Sequence, residues 1–274
     1  MLSAETQKPP RHATLPAWSS ARAVLGVDIS RMDVNVGPRT VVIVGASSGI
    51  GAALAHAWRK QGARVVALAR RAEELAQLGN GIATIVHDVR EHAVVADLVE
   101  RIESEHGPID TLVFAAGAMP RITPETWDTE LDRVVLETNV LGLMAWMNAV
   151  APRMAERGKG HLAAISSIAG DRGRRGFPAY CTSKAATNTY MESLRNRLSR
   201  RGVQITLIKP GFVNTAMTRG LDKLFWMASA EQAAAQIVKA VDAGAHTRYV
   251  LRRWALVGLV IRCIPSFIFR RMNI

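Results

Sequence analysis

Tyr180 and Lys184 stand four residues apart in a stretch of helical character, with Ser167 shortly upstream. On a helix that spacing puts a phenol and an ammonium on one face, about one turn apart. A free tyrosine has a pKa of about 10, too high for acid–base work near neutrality, and a neighbouring cation favours the phenolate and lowers that value. The expected chemistry is proton transfer, with Tyr180 as acid or base, Lys184 as the tuning charge and Ser167 donating a hydrogen bond to a substrate carbonyl. Taken alone, such a pair also fits an ordinary amphipathic helix.

A second constellation changes that balance. Gly45-Ala46-Ser47-Ser48-Gly49-Ile50-Gly51 lies between an apolar run and an Ala-rich helical segment. Glycines let the backbone turn sharply and approach a pyrophosphate, while the helix N-terminus offers free N–H groups and a positive dipole. The spacing, Gly-x3-Gly-x-Gly, differs from the commoner Gly-x-Gly-x2-Gly. Further on, Ala69 stands where an acidic residue would hold the ribose hydroxyls of NAD, and Arg70 and Arg71 follow it. Guanidinium groups fork onto phosphate, so NADP(H) is expected in preference to NAD(H); the alternative is a solvated start to the next helix. Asp88, followed by Val89, is read either as an acceptor for the adenine amino group or as a helix cap.

These groups need elements to hold them. Apolar, β-branched runs at 40–44, 64–69, 82–87, 111–116, 161–166, 203–208 and 248–251 read as strands buried on both faces. Helix-length segments fall between them at 50–61, 91–106, 124–157, 178–201 and 230–243. Regular alternation predicts an α/β fold in one domain: a doubly wound, mostly parallel seven-stranded sheet with helices on both faces, Rossmann-like. Ligands then bind past the carboxyl ends of the strands, where the candidate residues lie. The expected boundaries are an irregular extension at 1–38, the catalytic domain at 39–251 and an apolar, basic tail at 252–274. A start at Met32 instead of Met1 is left open.

The sequence resembles the short-chain dehydrogenase/reductase family, in its compact single-domain branch. The resemblance rests on the glycine stretch 45–51, Asp88-Val89, Ala116-Gly117, Asn139, Ser167, Tyr180-Cys181-Thr182-Ser183-Lys184 and Pro210-Gly211, in the family's order and spacing over roughly 40–250. It implies that Tyr180 is the general acid/base and that Lys184 binds the nicotinamide ribose and depresses the tyrosine pKa. Ser167 would polarise the substrate oxygen, and Asn139 would support a water-linked proton relay. Ala116 and Gly117 would flank the cofactor, and Pro210, Gly211, Val213 and Thr215 would hold its nicotinamide end. The implied activity is hydride transfer between a nicotinamide cofactor and a carbonyl or alcohol, in a homodimer or homotetramer joined through 124–157 and 178–201. Two departures stand out. Val44 replaces the usual Thr before the glycine turn, and Phe114-Ala115-Ala116-Gly117 lacks the usual asparagines, so other bonds must brace the backbone there.

Residues 212–230, with Met217, Leu221, Leu224, Phe225, Trp226 and Met227, read as a lid by resemblance, and their apolar character points to a hydrophobic substrate. The Arg172, Arg174 and Arg175 cluster is read as a solvated loop, with recognition of an acidic substrate tail as the alternative. The tail carries arginines around an apolar span too short and too interrupted to cross a bilayer; peripheral membrane contact and packing on its own domain or a partner subunit are the alternatives.

Composition narrows the rest. The net charge is +12, yet no basic run is interleaved with aromatics, so nucleic acid is not an expected partner. Cys181 and Cys263, the only cysteines, lack metal-ligand spacing, so neither metal nor disulfide is expected, and a reducing cytoplasm fits. The first residues contain no apolar stretch of signal-peptide length. Two rivals remain: a nucleotide-binding regulatory protein without turnover, and an isomerase or dehydratase on the same fold.

Overall fold

Each central strand sends alternate side chains into two different cores. In β1 (Thr40–Val44), Val41 and Ile43 join one apolar cluster while Val42 and Val44 join the other. β2 (Arg64–Ala69) and β5 (Gly160–Ile165) divide in the same way, with Val65 and Ala163 on one side and Val66 and Leu162 on the other. Two-sided burial is why these runs are unbroken in the sequence. Each fully buried Val or Ile stabilises the fold by about 1.5–3 kcal/mol.

The computed structural model describes residues 37–220 and 224–272. The extension expected at 1–38 therefore falls almost wholly outside the described residues, as does Leu221 of the expected lid. From Pro38 onward the chain forms one unit. With β3 (Ile82–Val86), β4 (Thr111–Phe114), β6 (Val203–Pro210) and β7 (Thr247–Val250), the sheet has seven strands in the order β3-β2-β1-β4-β5-β6-β7. Every pairing is parallel. The chain reverses its direction of winding between β1 and β4, so a crevice opens at their carboxyl ends.

α1 (Gly49–Lys60) and α7 (Ala230–Asp242) cover one face, and α3 (Val95–His106), α5 (Gly142–Arg157) and α6 (Pro178–Leu198) cover the other. α6 begins at Pro178, whose fixed φ suits a first helical turn, and its buried residues Lys184, Thr187, Met191, Leu194 and Leu198 recur at helical spacing. The helix expected at 124–157 starts later, as α4 (Thr129–Leu136), because the Asp128 carboxylate accepts the backbone N–H groups of Glu130 and Leu131 at 2.9 and 3.1 Å. It widens into a π-turn over Glu137–Leu141 before α5. The combined helix Thr129–Arg157 has the length and apolarity of a membrane span, but more than half of its most apolar window is buried in this domain.

Three further departures from the sequence reading occur. α3 is preceded by a 3-10 turn at His92–Val94. A short helix, α2 (Ala72–Ala76), follows Arg71; five residues are too few to show a period. The segment beyond 251 forms α8 (Arg253–Cys263) and α9 (Ser266–Phe269), and α8 packs on the domain through Trp254 and Gly258.

Candidate active site

At the carboxyl ends of β1 and β4 lies a cavity of about 330 Å³, a volume within the usual range for small-molecule sites. The catalytic and cofactor-binding residues expected from the sequence line it, with the exceptions of Asp88 and Asn139; of the expected lid Met217 lines it, while Leu224, Phe225, Trp226 and Met227 do not.

The nucleotide end is built from backbone. Gly45 has φ +95°, and a Cβ there would lie 2.3 Å from the amide of Ala116. A Cβ on Gly51 would lie 2.1 Å from the carbonyl oxygen of Gly45. Side chains at either position would force the turn apart. The N-terminus of α1 has no side-chain cap and no acidic residue in its first turn. Its free N–H groups and positive dipole therefore remain available to an anion, which fits a pyrophosphate in this cradle. The missing Thr and Asn braces are replaced by backbone bonds: Ala115 N donates to Val44 O at 2.7 Å, and Gly45 N to Leu68 O at 2.7 Å.

Arg71 crosses from the end of β2 to this turn. Its guanidinium donates to Ser47 Oγ at 2.8 Å and Ser48 Oγ at 2.7 Å and pairs with Glu74 at 3.0 Å. Arg70 is more exposed and approaches Asp88 only at 3.8 Å. The carboxylate of Asp88 is forked by Arg90 at 2.7 Å and also accepts its backbone N–H. That pairing lowers its pKa. Asp88 thus stands in a local turn with Arg90, while its neighbours His87 and Val89 line the cavity.

At the reactive end, Ser167 closes β5 and caps the 3-10 turn Ile168–Asp171, its Oγ accepting from Ala169 N at 3.1 Å. The hydroxyl proton is directed at the Tyr180 phenol. Tyr180 and Lys184 rise from the first turns of α6. Lys184 is buried and donates to Ile165 O at 2.9 Å. Its ammonium lies 5.7 Å from the Tyr180 ring centre. Burial alone lowers the Lys184 pKa to about 8.

Tyr180 corrects one expectation. Burial pushes its phenol pKa up, against opposing pulls from the Ser167 hydroxyl and the Arg174 charge. Lys184 was expected to depress it, but desolvation of the half-buried phenol is the larger influence. The phenol is accordingly protonated at neutral pH.

Asn139 sits in the π-turn, 1% exposed. Its Oδ1 accepts from Ala118 N at 2.6 Å, and its Nδ2 donates to Ala118 O and to Ser183 Oγ at 3.0 and 2.9 Å. The side chain is therefore spent on holding the loop after β4 against α6. π-turns recur at functional sites because they re-aim one residue.

Several contributors were not expected at the site from the sequence. Ser166 Oγ donates to Asn188 Oδ1 at 2.6 Å, and Asn188 donates to Gly170 O at 3.0 Å, tying β5 to α6. Arg174 lines the cavity, in contrast with the solvated loop expected, and Arg172 binds the carbonyl of Ile261 in α8 at 2.7 Å. Lys209 pairs with Asp171 at 2.6 Å. The only sequence signals for these were polar residues next to motif residues.

Comparison with known proteins agrees with this geometry. A model of the short chain dehydrogenase family matches residues 39–224. An uncharacterized oxidoreductase of Myxococcus xanthus is 38% identical over 187 residues, 66% of this chain and 74% of that protein. Dehydrogenase/reductase SDR family member 7B of Bos taurus is 32% identical over 201 residues, 69% of this chain and 62% of that protein. A short-chain dehydrogenase from Streptomyces avermitilis superposes with a TM-score of 0.74 at 27% identity, over 82% of this chain and 92% of its own. A short chain dehydrogenase from Burkholderia cenocepacia J2315, solved in complex with NADP, shares the fold at a TM-score of 0.73 and 24% identity, over 83% and 98% of the two chains.

Proposed function

The chain belongs to the short-chain dehydrogenase family of oxidoreductases, and on that premise we propose that it interconverts a carbonyl and an alcohol on a hydrophobic small molecule, using NADP(H) in preference to NAD(H). One observation carries the reading: Tyr180, Lys184 and Ser167 line the same cavity as the glycine turn. A bound nicotinamide dinucleotide supplies the hydride or takes it back.

The chain's own residues handle position and protons. Ser167 donates a hydrogen bond to the substrate oxygen and steadies it as negative charge develops. Tyr180 gives its proton to that oxygen in reduction and takes it back in oxidation. Lys184 then faces a phenolate, and its charge offsets the new anion; its remaining N–H groups serve the ribose. Asn139 keeps the loop after β4 in register with α6. Ala116, Gly117, Pro210, Gly211, Val213 and Thr215 form the wall against the nicotinamide.

The NADP(H) preference rests on Arg71, which is already anchored over Ser47 and Ser48, with Arg70 beside it and no acid at Ala69. Met119, Phe177, Phe212 and Met217 give the substrate end its apolar character. Two free thiols, Cys181 and Cys263, fit a cytoplasmic setting, and homo-oligomerisation through α4–α5 and α6 completes the assignment.

The test is a panel of apolar ketones, aldehydes and alcohols assayed with NADPH and NADH, with Tyr180→Phe as control. Turnover with NADPH that disappears in the variant is the expected result. Cofactor binding without turnover across the panel would favour a regulatory nucleotide-binding role, and full turnover by Tyr180→Phe would end the mechanism.

A further inference from the structure

Helix α8 has two apolar faces, and the fold covers only one. At about 100° per residue, Trp254, Val257, Gly258 and Ile261 share a stripe. That stripe faces the domain: Trp254 packs on Phe212 and Phe225 with ring centres 5.3 and 5.1 Å away, and Gly258 adjoins Tyr249 and Asp171. On the opposite side stand Leu256, Leu259, Val260 and Cys263, all exposed, with Leu256 at 66%. The apolar surface continues into α9, where Phe267 is 57% exposed and Ile268 44%. At the other end of α8, Trp226 is half-exposed beneath the Arg253 guanidinium, 4.9 Å from it. A helix that is apolar all round belongs in a core or in lipid, and here its own domain buries half of it.

Charge says what meets the other half. Arg252, Arg253, Arg262, Arg270 and Arg271 are exposed around this surface, and the sequence holds no acidic residue after Asp242. Arg253 and Arg262 fall on the two flanks of the outer stripe, where their stems can lie along apolar surface and their heads can reach charged groups. A second copy of the chain would bring arginines against arginines with no carboxylate between them. Eleven residues make a helix about 16 Å long, too short to cross a bilayer. We propose that α8 and α9 dock this protein on an anionic lipid surface, with Leu256, Leu259, Val260, Phe267 and Ile268 at the headgroup boundary and the arginines among the headgroups. The inner stripe stays on the domain throughout.

The experiment is co-sedimentation of the full chain with vesicles of phosphatidylcholine alone and of phosphatidylcholine mixed with phosphatidylglycerol, together with sedimentation velocity without lipid. Pelleting is expected with the mixed vesicles and not with the neutral ones, with release at high salt. Leu259→Glu with Val260→Glu should lower vesicle affinity at least about tenfold while the thermal midpoint is kept. Arg270→Gln with Arg271→Gln should weaken it by about fivefold per arginine. No pelleting with the mixed vesicles overturns the proposal, as does unchanged pelleting of the Leu259→Glu, Val260→Glu protein. A lipid-independent dimer that this variant dissociates would assign the face to a second copy instead. Catalysis is not part of the readout, so the docking surface stands or falls separately from the proposed activity.

Discussion

Among the described residues two lysines are buried, and their surroundings differ. Lys184, 5% exposed on α6, has one recorded partner, the carbonyl of Ile165, and burial brings its pKa to about 8. Lys209, 8% exposed near the end of β6, touches the Asp171 carboxylate at 2.6 Å, and the other oxygen of Asp171 accepts from Tyr249 at 2.8 Å. A buried cation with its counter-ion acts as a rivet, joining the turn after Ser167 to the last two strands. A buried cation without one costs stability and persists because of what else it does. The pair separates a structural charge from a poised one within a single sheet.

The largest effect expected from breaking this contrast is on activity. Lys184→Met should lower kcat by about 10²–10⁴-fold, while stability at pH 7 holds or rises by up to about 3 kcal/mol as the desolvation cost disappears. The pH profile supplies a second check. Between about pH 8 and 10.5 the folded chain sheds the Lys184 proton while the unfolded chain keeps it, so wild-type stability climbs there. The variant should lose that climb in urea titrations.

Lys209→Met should do the opposite. It strands the Asp171 carboxylate and should cost about 3–5 kcal/mol by urea unfolding, with kcat nearly unchanged. Equal effects of the two substitutions on activity would erase the distinction.

His161 sharpens it from another side. Burial holds this histidine neutral, with its pKa lowered from 6.5 to about 4, and it bonds to Thr206 at 2.8 Å. The unfolded chain takes up the proton first as pH falls from 6.5 to 4, so stability should drop by about 3 kcal/mol across that window. His161→Gln should flatten the profile.

Smaller effects belong to the exposed charges and the uncovered face. Arg71→Ala should shift the NADPH-over-NADH ratio of kcat/KM by about tenfold or more, the effect of losing a charge-assisted contact. Leu256→Ser, on the open side of α8, should leave unfolding free energy within about 0.5 kcal/mol.

Much of the catalytic end was legible because its residues are close in sequence and dictated by local geometry. Tyr180 and Lys184 share one helix, and the glycine turn is contiguous. The Asp88–Arg90 pair was not foreseen, because a carboxylate two residues before an arginine pairs with it locally at no loop-closure cost, which no motif reports. The direction of the Tyr180 pKa was misjudged because helical spacing fixes which residues are neighbours and says nothing of desolvation at the cavity wall. α2 was too short to display a period. The π-turn that aims Asn139 requires one extra residue in a helical turn, which leaves no compositional trace.

Alternation of strand and helix, the two-sided burial of the central strands and the glycine turn with its following helix are consequences of local sterics and side-chain period. The amino-acid sequence alone determined those, and with them the parallel sheet and the mouth of the cavity. Packing between distant segments decided the rest: Asp171 against Lys209 and Tyr249, Trp254 against the strand end at Gly211, and one face of α8 inside with its twin outside. Such contacts join residues tens of positions apart, and their strength depends on how much water the finished fold removes around each group. Composition and spacing carry no measure of that.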